Sequence, residues 1–405
     1  MKRTLFFLLS VLVLLNSTVT ALADNYSDYL SYDEDYVHPL TGEYINVYNW
    51  GEYISDGSEG SLDINKEFTR ITGIKVNYTN YASNEDMYAK LKSGGASYDV
   101  IFPSDYMVQR LINEDMLEKL DLSNIPNYKY IAEEYRNLPY DPKNEYSVPY
   151  TVGMVGLIYN SAMIERMGYE EPTSWNALWD HRYSGSILMF NNPRDAFAIS
   201  QFLLGIDLNT TDPEDWKKAY DKLLEQKPFV QSYVMDEIFN KMENNEAILA
   251  PYYVGDFLSM KDNNDDLEFV YPEEGVNYFV DAMCVPKGAR NKEAAELYIN
   301  FMLDPEIALQ NAEYIYYASP HSEVINNPEY SLYENEYIYP SDSVKNQIFT
   351  DLPRETNHLM TDYWDSLKVD GYDYTLYYIG FISFLLFIIG LTIYRNHKKK
   401  KYDYD

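Results

Sequence analysis

Asn49-Trp50-Gly51-Glu52-Tyr53 sets two large aromatic side chains around one carboxylate. Those residue types suit a cation. A ring face attracts positive charge, and a carboxylate beside it neutralises that charge once water is excluded. The same stretch fits a second reading, in which Trp50 is ordinary core near the start of a domain. Catalytic chemistry finds less support. The histidines His38, His181, His321, His358 and His397 form no close pair and no His-Glu-x-x-His. The single cysteine, Cys284, excludes an intrachain disulfide and a Cys-based metal site. Neither a Gly-x-Ser-x-Gly nor a phosphate-cradling glycine-rich loop is present. The chain therefore reads as a non-enzyme with no cofactor and no metal.

The elements around this stretch alternate. Ile45, Val47 and Tyr48 predict a strand that ends in the Trp50 turn. Ile64, Phe68 and Ile71 recur at helical spacing and stop at Thr72-Gly73. Ile74 to Tyr78 alternates as a strand, and Asn84 to Leu91 reads as a helix that Asn84 caps and Gly94-Gly95 ends. Asp99-Val100-Ile101-Phe102 is a short apolar strand, and Pro103-Ser104-Asp105-Tyr106 opens a helix through Ile112. Such β-α alternation predicts an α/β fold with a mainly parallel sheet flanked by helices. Ligands of these sheets bind at the carboxyl ends of strands, which is where Trp50–Tyr53 and Ser104–Tyr106 fall. Further along, Met154–Tyr159 reads as a strand, and Pro213–Leu224 as a helix with Asp212 at its N-cap.

With 405 residues and 46% apolar content, the chain can hold two domains with a sizeable core. Its formal net charge of −32 argues against nucleic acid, whose phosphates require a basic footprint, and concentrates cations near the surface. Tyrosine is the outlier, 43 residues against 17 Phe and 5 Trp. An apolar ring with a polar tip suits wet ligand walls, although a compositional bias serves equally for most of them.

Several dispersed motifs carry a resemblance. Tyr48-Asn49-Trp50-x-Glu52-Tyr53, Phe68 to Val76, Ser83 to Lys92 and Tyr98-Asp99-Val100-Ile101-x-Pro103-Ser104 occur in order. Tyr146 to Tyr150, Asn291 to Ala295 and Ile299 to Pro305 follow. Together they resemble the bacterial polyamine-binding proteins, the spermidine/putrescine receptors of ATP-driven (ABC) importers, over roughly Ile45 to Val369. The resemblance implies a two-lobed periplasmic-binding-protein fold of type II, each lobe a mixed, mainly parallel sheet, with two chain crossovers at the hinge. It places lobe 1 at 45–153, lobe 2 at 154–280, a return to lobe 1 at 281–322 and a C-terminal part of lobe 2 at 323–369.

It also implies a ligand set. Trp50 and Tyr53 match the first aromatic wall, with Glu52 between them as an amine acceptor. Ser104 and Tyr106 match lining positions, while Asp105 is either a ligand or a helix-start acid. Asp195 matches an acidic anchor, and Asn192 stands where spermidine receptors carry a second acid. Tyr253 and Phe279 replace tryptophans of the family, Asp256 falls where putrescine-selective receptors carry an acid, and Asp281 and Tyr317 match an acid and a ring. The acid balance favours putrescine over spermidine. A receptor of this fold for a sugar or another organic cation, and a tethered surface sensor, are the alternatives.

Both ends depart from the lobes. Met1-Lys2-Arg3, the apolar run Leu5 to Leu15 and Ala21-Leu22-Ala23 form a secretory signal with cleavage after Ala23, and 24–44 reads as a flexible acidic leader. Thr375 to Tyr394 is a charge-free, mostly apolar run long enough to span a bilayer. Arg395 and Lys398–Lys401 follow it, which puts the 395–405 tail in the cytoplasm and the lobes outside. The expected molecule is a single-pass membrane monomer whose partners are a polyamine and the permease subunits of its importer.

Overall fold

The structure, a computed structural model, describes residues 40–95, 97–341, 343–369, 382–384 and 387–391. The expected signal peptide, nearly all of the leader, most of the 375–394 run and the basic tail lie outside these residues. Among the described residues, no helix is long and apolar enough to cross a membrane.

Apolar periodicity builds the first half much as the sequence predicts. Strand β1 (Tyr44–Trp50) is followed by α1 (Ile64–Thr72), β2 (Lys75–Tyr81), α2 (Asn84–Lys92), β3 (Val100–Ile101) and α3 (Asp105–Asn113). The Asp63 carboxylate caps α1 by accepting from Lys66 N, and Gly73 ends the helix at φ 70°. Ile45, Val47, Ile64 and Phe68 are fully buried, each such side chain stabilising by about 1.5–3 kcal/mol. At α2 the structure differs from expectation, because Ser83 is the cap and accepts from Asp86 N at 3.1 Å. Asn84 is turned inward instead, where its amide bonds the Ser104 hydroxyl at 3.0 Å.

A single long strand then changes sheets. β4 (Ser147–Asn160) leads through α4 (Ser161–Met167) to β5 (Ile187–Phe190), α5 (Pro193–Leu204), α6 (Pro213–Gln226), β6 (Val230–Val234) and α7 (Glu237–Glu243). β7 (Leu249–Tyr253), α8 (Val254–Asn263), β8 (Leu267–Val270) and β9 (Val276–Cys284) follow. The chain closes with α9 (Lys292–Met302), α10 (Pro305–Ile315), α11 (Ser322–Ile325), β10 (Asn346–Ile348) and α12 (Arg354–Val369). Asp212 caps α6 ahead of Pro213, as its sequence dictates.

Strand order is β2-β1-β3-β9-β4-β7-β5-β6, with β10 beside β9 and β8 beside β4. The outer strands run parallel, β2-β1-β3 on one side and β7-β5-β6 on the other. Antiparallel pairings join them through β9 and β4. Ser147 to Met154 of β4 pair with β9, and Val155 to Tyr159 pair with β7, so the register passes from one sheet to the next at Met154/Val155. α12 lies against the second sheet's helices, with Tyr363 stacked on Tyr220 of α6 at 4.8 Å between ring centroids. The two parallel groups thus face their carboxyl ends toward a common region, bridged by β4 and β9.

Candidate ligand-binding site

Strand ends build one cavity of about 50 Å³, open to solvent. That is several times the roughly 10–15 Å³ that one water occupies on the same measure. Trp50 and Tyr53 arrive from the end of β1, Ser104 and Tyr106 from the β3–α3 junction, and Asn192 and Asp195 from β5–α5. Tyr253 and Asp256 come from β7–α8, Phe279 and Asp281 from β9, and Tyr317 from the segment after α10. Eleven of the twelve expected site residues therefore share one lining.

Hydrogen bonds hold the rings in place. The Trp50 indole N–H donates to Phe102 O at 2.9 Å, which turns the ring plane along the cavity wall. The Tyr53 hydroxyl donates to Asp281 Oδ2 at 2.7 Å and also meets the Thr151 hydroxyl. Tyr253 donates to Asp195 Oδ2 at 2.7 Å, and Tyr106 to Glu85 Oε1 at 3.0 Å. Phe279 stands edge-on to Tyr253 at 5.6 Å between centroids. Gly255 is required at the rim: a Cβ there would lie 2.4 Å from the Tyr317 ring.

Asp195 and Asp281 are buried and Asp256 is half-buried; the Arg194 guanidinium acts on Asp195 without forming an ion pair with it. Asp281 is 3% exposed, and its Oδ1 is buried without a hydrogen-bond partner. Burial pushes its pKa up to about 6, against the opposing pull of the Ser104 and Tyr53 hydroxyls. Burial likewise raises Asp195 to about 7, although it accepts from Tyr253 and, at 2.7 Å, from the Asn192 amide. Asp256 lies well above the usual carboxylate range for the same reason, and the Tyr317 hydroxyl works against that shift. No ion pair among the described residues involves any of the three. Asn192 completes this wall as the N-cap of α5, accepting from Arg194 N at 3.0 Å.

Glu52 is the exception among the expected residues. It does not line the cavity, but a wider groove of about 810 Å³ beside it, shared with Glu243, Asp262 and Glu313. The backbone of Glu52 is left-handed, at φ 47°, a conformation uncommon for a residue with a Cβ. That turn separates its carboxylate from the rings on either side. Asp105, left open by the sequence, is a frame residue. Its carboxylate accepts from Val280 N at 3.1 Å and Tyr106 N at 2.6 Å and so ties β9 to α3.

Sequence reasoning missed Asn84, Tyr252, Asn277, Phe349 and above all Asp236, which lines both cavity and groove. A signal for Asp236 existed. Val234-Met235-Asp236-Glu237 is another strand-to-helix junction, the same context that singled out Ser104–Tyr106.

The profile of the bacterial extracellular solute-binding proteins matches residues 96–337. A spermidine/putrescine-binding periplasmic protein of Escherichia coli K12 is 33% identical over 328 residues, covering 80% of this chain and 91% of that protein. This chain belongs to that solute-binding family. The Haemophilus influenzae spermidine/putrescine-binding periplasmic protein 1 is 35% identical over 327 residues, 80% of this chain and 88% of its own length. Among solved structures, a putative spermidine/putrescine ABC transporter protein of Listeria monocytogenes superposes with a TM-score of 0.75 at 34% identity, covering 81% of this chain and 99% of that one. The α/β periplasmic-binding-protein fold follows from that match and from the mixed sheet. Members of this solute-binding family are receptors rather than enzymes.

Proposed function

We propose that this chain is an extracytoplasmic receptor that captures a polyamine, putrescine in preference to spermidine, and delivers it to the permease subunits of an ABC importer. One observation carries the reading: Asp195, Asp256 and Asp281 share a ring-lined cavity whose described lining includes no lysine or arginine. Desolvated carboxylates of this kind are costly unless a positive ligand pairs with them. The rings cover the methylene segments of the ligand and add about 0.5–2 kcal/mol per cation contact. Neutral Asn192 and the acid at Asp256 support the preference for putrescine. The relatives' names, which include both amines, support the substrate class.

In this proposal the segments 45–153 with 281–322, and 154–280 with 323–369, are lobes that close over the amine about β4 and β9. Closure is the state that the membrane subunits recognise. The run 375–394, followed by Arg395 and Lys398–Lys401, anchors the receptor beside its transporter after removal of residues 1–23. Its described portions, 382–384 and 387–391, are helical and expose Ile382, Phe384, Phe387 and Leu391.

Isothermal calorimetry of the purified chain with each amine tests the proposal. Putrescine is expected to bind the more tightly. Spermidine binding tenfold tighter, about 1.4 kcal/mol, overturns the preference, and no binding of either amine overturns the receptor reading.

A further inference from the structure

Asp236 is an acid that neither the motifs nor the family resemblance singled out, and its surroundings give it a role. It lies at the β6–α7 junction as the N-cap of α7, but its side chain makes no capping bond. It is therefore not engaged in the local work that acids at helix starts ordinarily perform. Across from it runs the backbone of Gly51, in the aromatic stretch of the opposite sheet. A Cβ at Gly51 would lie 2.3 Å from Asp236 Oδ2. Glycine at 51 is what leaves room for the carboxylate beside this turn.

The acids of the cavity then fall into two groups. Asp195 and Asp281 line the cavity alone, whereas Asp236 and Asp256 line both the cavity and the adjoining groove. Beyond burial, Asp236 and Glu52 are the charges that raise Asp256, while Asp195 is acted on by Glu85, Arg194 and Asp281. A flexible diamine carries one charge at each end. Two pairs of carboxylates in one ring-lined cavity, one pair confined to it and the other shared with the groove, match that chemistry.

We propose that Asp236 is a ligand-contacting, specificity-determining residue, which with Asp256 holds the ammonium group at the outer end of the amine, while Asp195 and Asp281 hold the inner one. This assignment rests on the polyamine reading above. It makes the outer end doubly acidic and explains why position 51 carries no side chain.

Calorimetry of the purified full chain with putrescine tests it. Asp236→Asn is expected to weaken binding at least tenfold, and Asp236→Glu to recover most of that loss. Gly51→Ala is expected to weaken binding in the same direction by displacing the carboxylate. Glu243→Gln, on the groove alone, is expected to stay within twofold of the parent. Binding by Asp236→Asn within twofold of the parent overturns the assignment. So does a loss at Glu243→Gln equal to that at Asp236→Asn, because Asp236 would then act only through the general negative field. Failure of the unsubstituted chain to bind either putrescine or spermidine is a different result: it removes the polyamine reading itself, and this assignment with it.

Discussion

The two sheets treat the acids at their helix starts in opposite ways. On the first sheet, Asp105 occupies the first position of α3 and turns away from the cavity to accept from two backbone amides. On the second, Asp195 and Asp256 occupy the third positions of α5 and α8 and face the cavity. A helix N-terminus carries partial positive charge, so all three sites favour an anion. Two positions of difference, about half a turn, decide the use. The first sheet contributes rings and hydroxyls from Trp50, Tyr53, Ser104 and Tyr106, together with a braced frame. The second contributes charge, and Asp281 stands between them on β9. The cavity thus takes Asp195 and Asp256 with the Tyr252 and Tyr253 rings from one side, and Trp50, Tyr53 and Tyr106 from the other.

The comparison can be broken most sharply at Asp281. Asp281→Asn is expected to weaken amine binding by roughly 2 kcal/mol or more, by analogy with the roughly 3–5 kcal/mol lost when a buried charge pair is broken. Unchanged affinity in calorimetry removes Asp281 from the site.

The next effect separates frame from site. Asp105→Ala leaves two buried backbone N–H groups, of Val280 and Tyr106, without their acceptor, and is expected to cost about 1–3 kcal/mol of stability. Asp195→Asn is expected to weaken amine binding while leaving thermal stability intact or raised, since it removes a buried charge. Melting curves with and without putrescine distinguish the two variants. Equal loss of stability in both would erase the contrast drawn between them.

A further effect concerns pH. Asp195 and Asp281 titrate at about 7 and about 6 in the empty protein, both above the usual carboxylate value. A cation favours their ionised forms, so binding below these values must displace protons. Affinity is expected to rise by up to about tenfold per pH unit for each proton displaced as pH rises through these values. For folding the sign is opposite. The unfolded carboxyls ionise near 4, so the folded state binds more protons between pH 4 and 7, and the empty protein loses stability as pH rises through that window. Affinity independent of pH from 5 to 8 would show that the buried acids do not meet the ligand.

Local physics made much of this legible from sequence. Ile64, Phe68 and Ile71 at helical spacing place α1, and Asp212-Pro213 starts α6. The strand-end position of Trp50 and Ser104 points to a ligand wall, and motif matching brings Asp195, Asp256 and Asp281 to it. Other features depended on groups far apart in the chain. Asn84 is a cap by pattern, yet it bonds Ser104 because Ser83 already serves the helix. Glu52 sits between the two cavity rings in sequence, yet a left-handed backbone at one residue sends it to the groove. Asp236 belongs to no motif and enters the site only because the turn containing Gly51 leaves room across the gap between sheets. Periodicity, caps and charge are properties of neighbours in the chain, so the sequence determined the elements and the types of residue at their ends. Which carboxylates face the cavity, and which brace it, is decided by packing between residues more than a hundred positions apart, as between Tyr53 and Asp281.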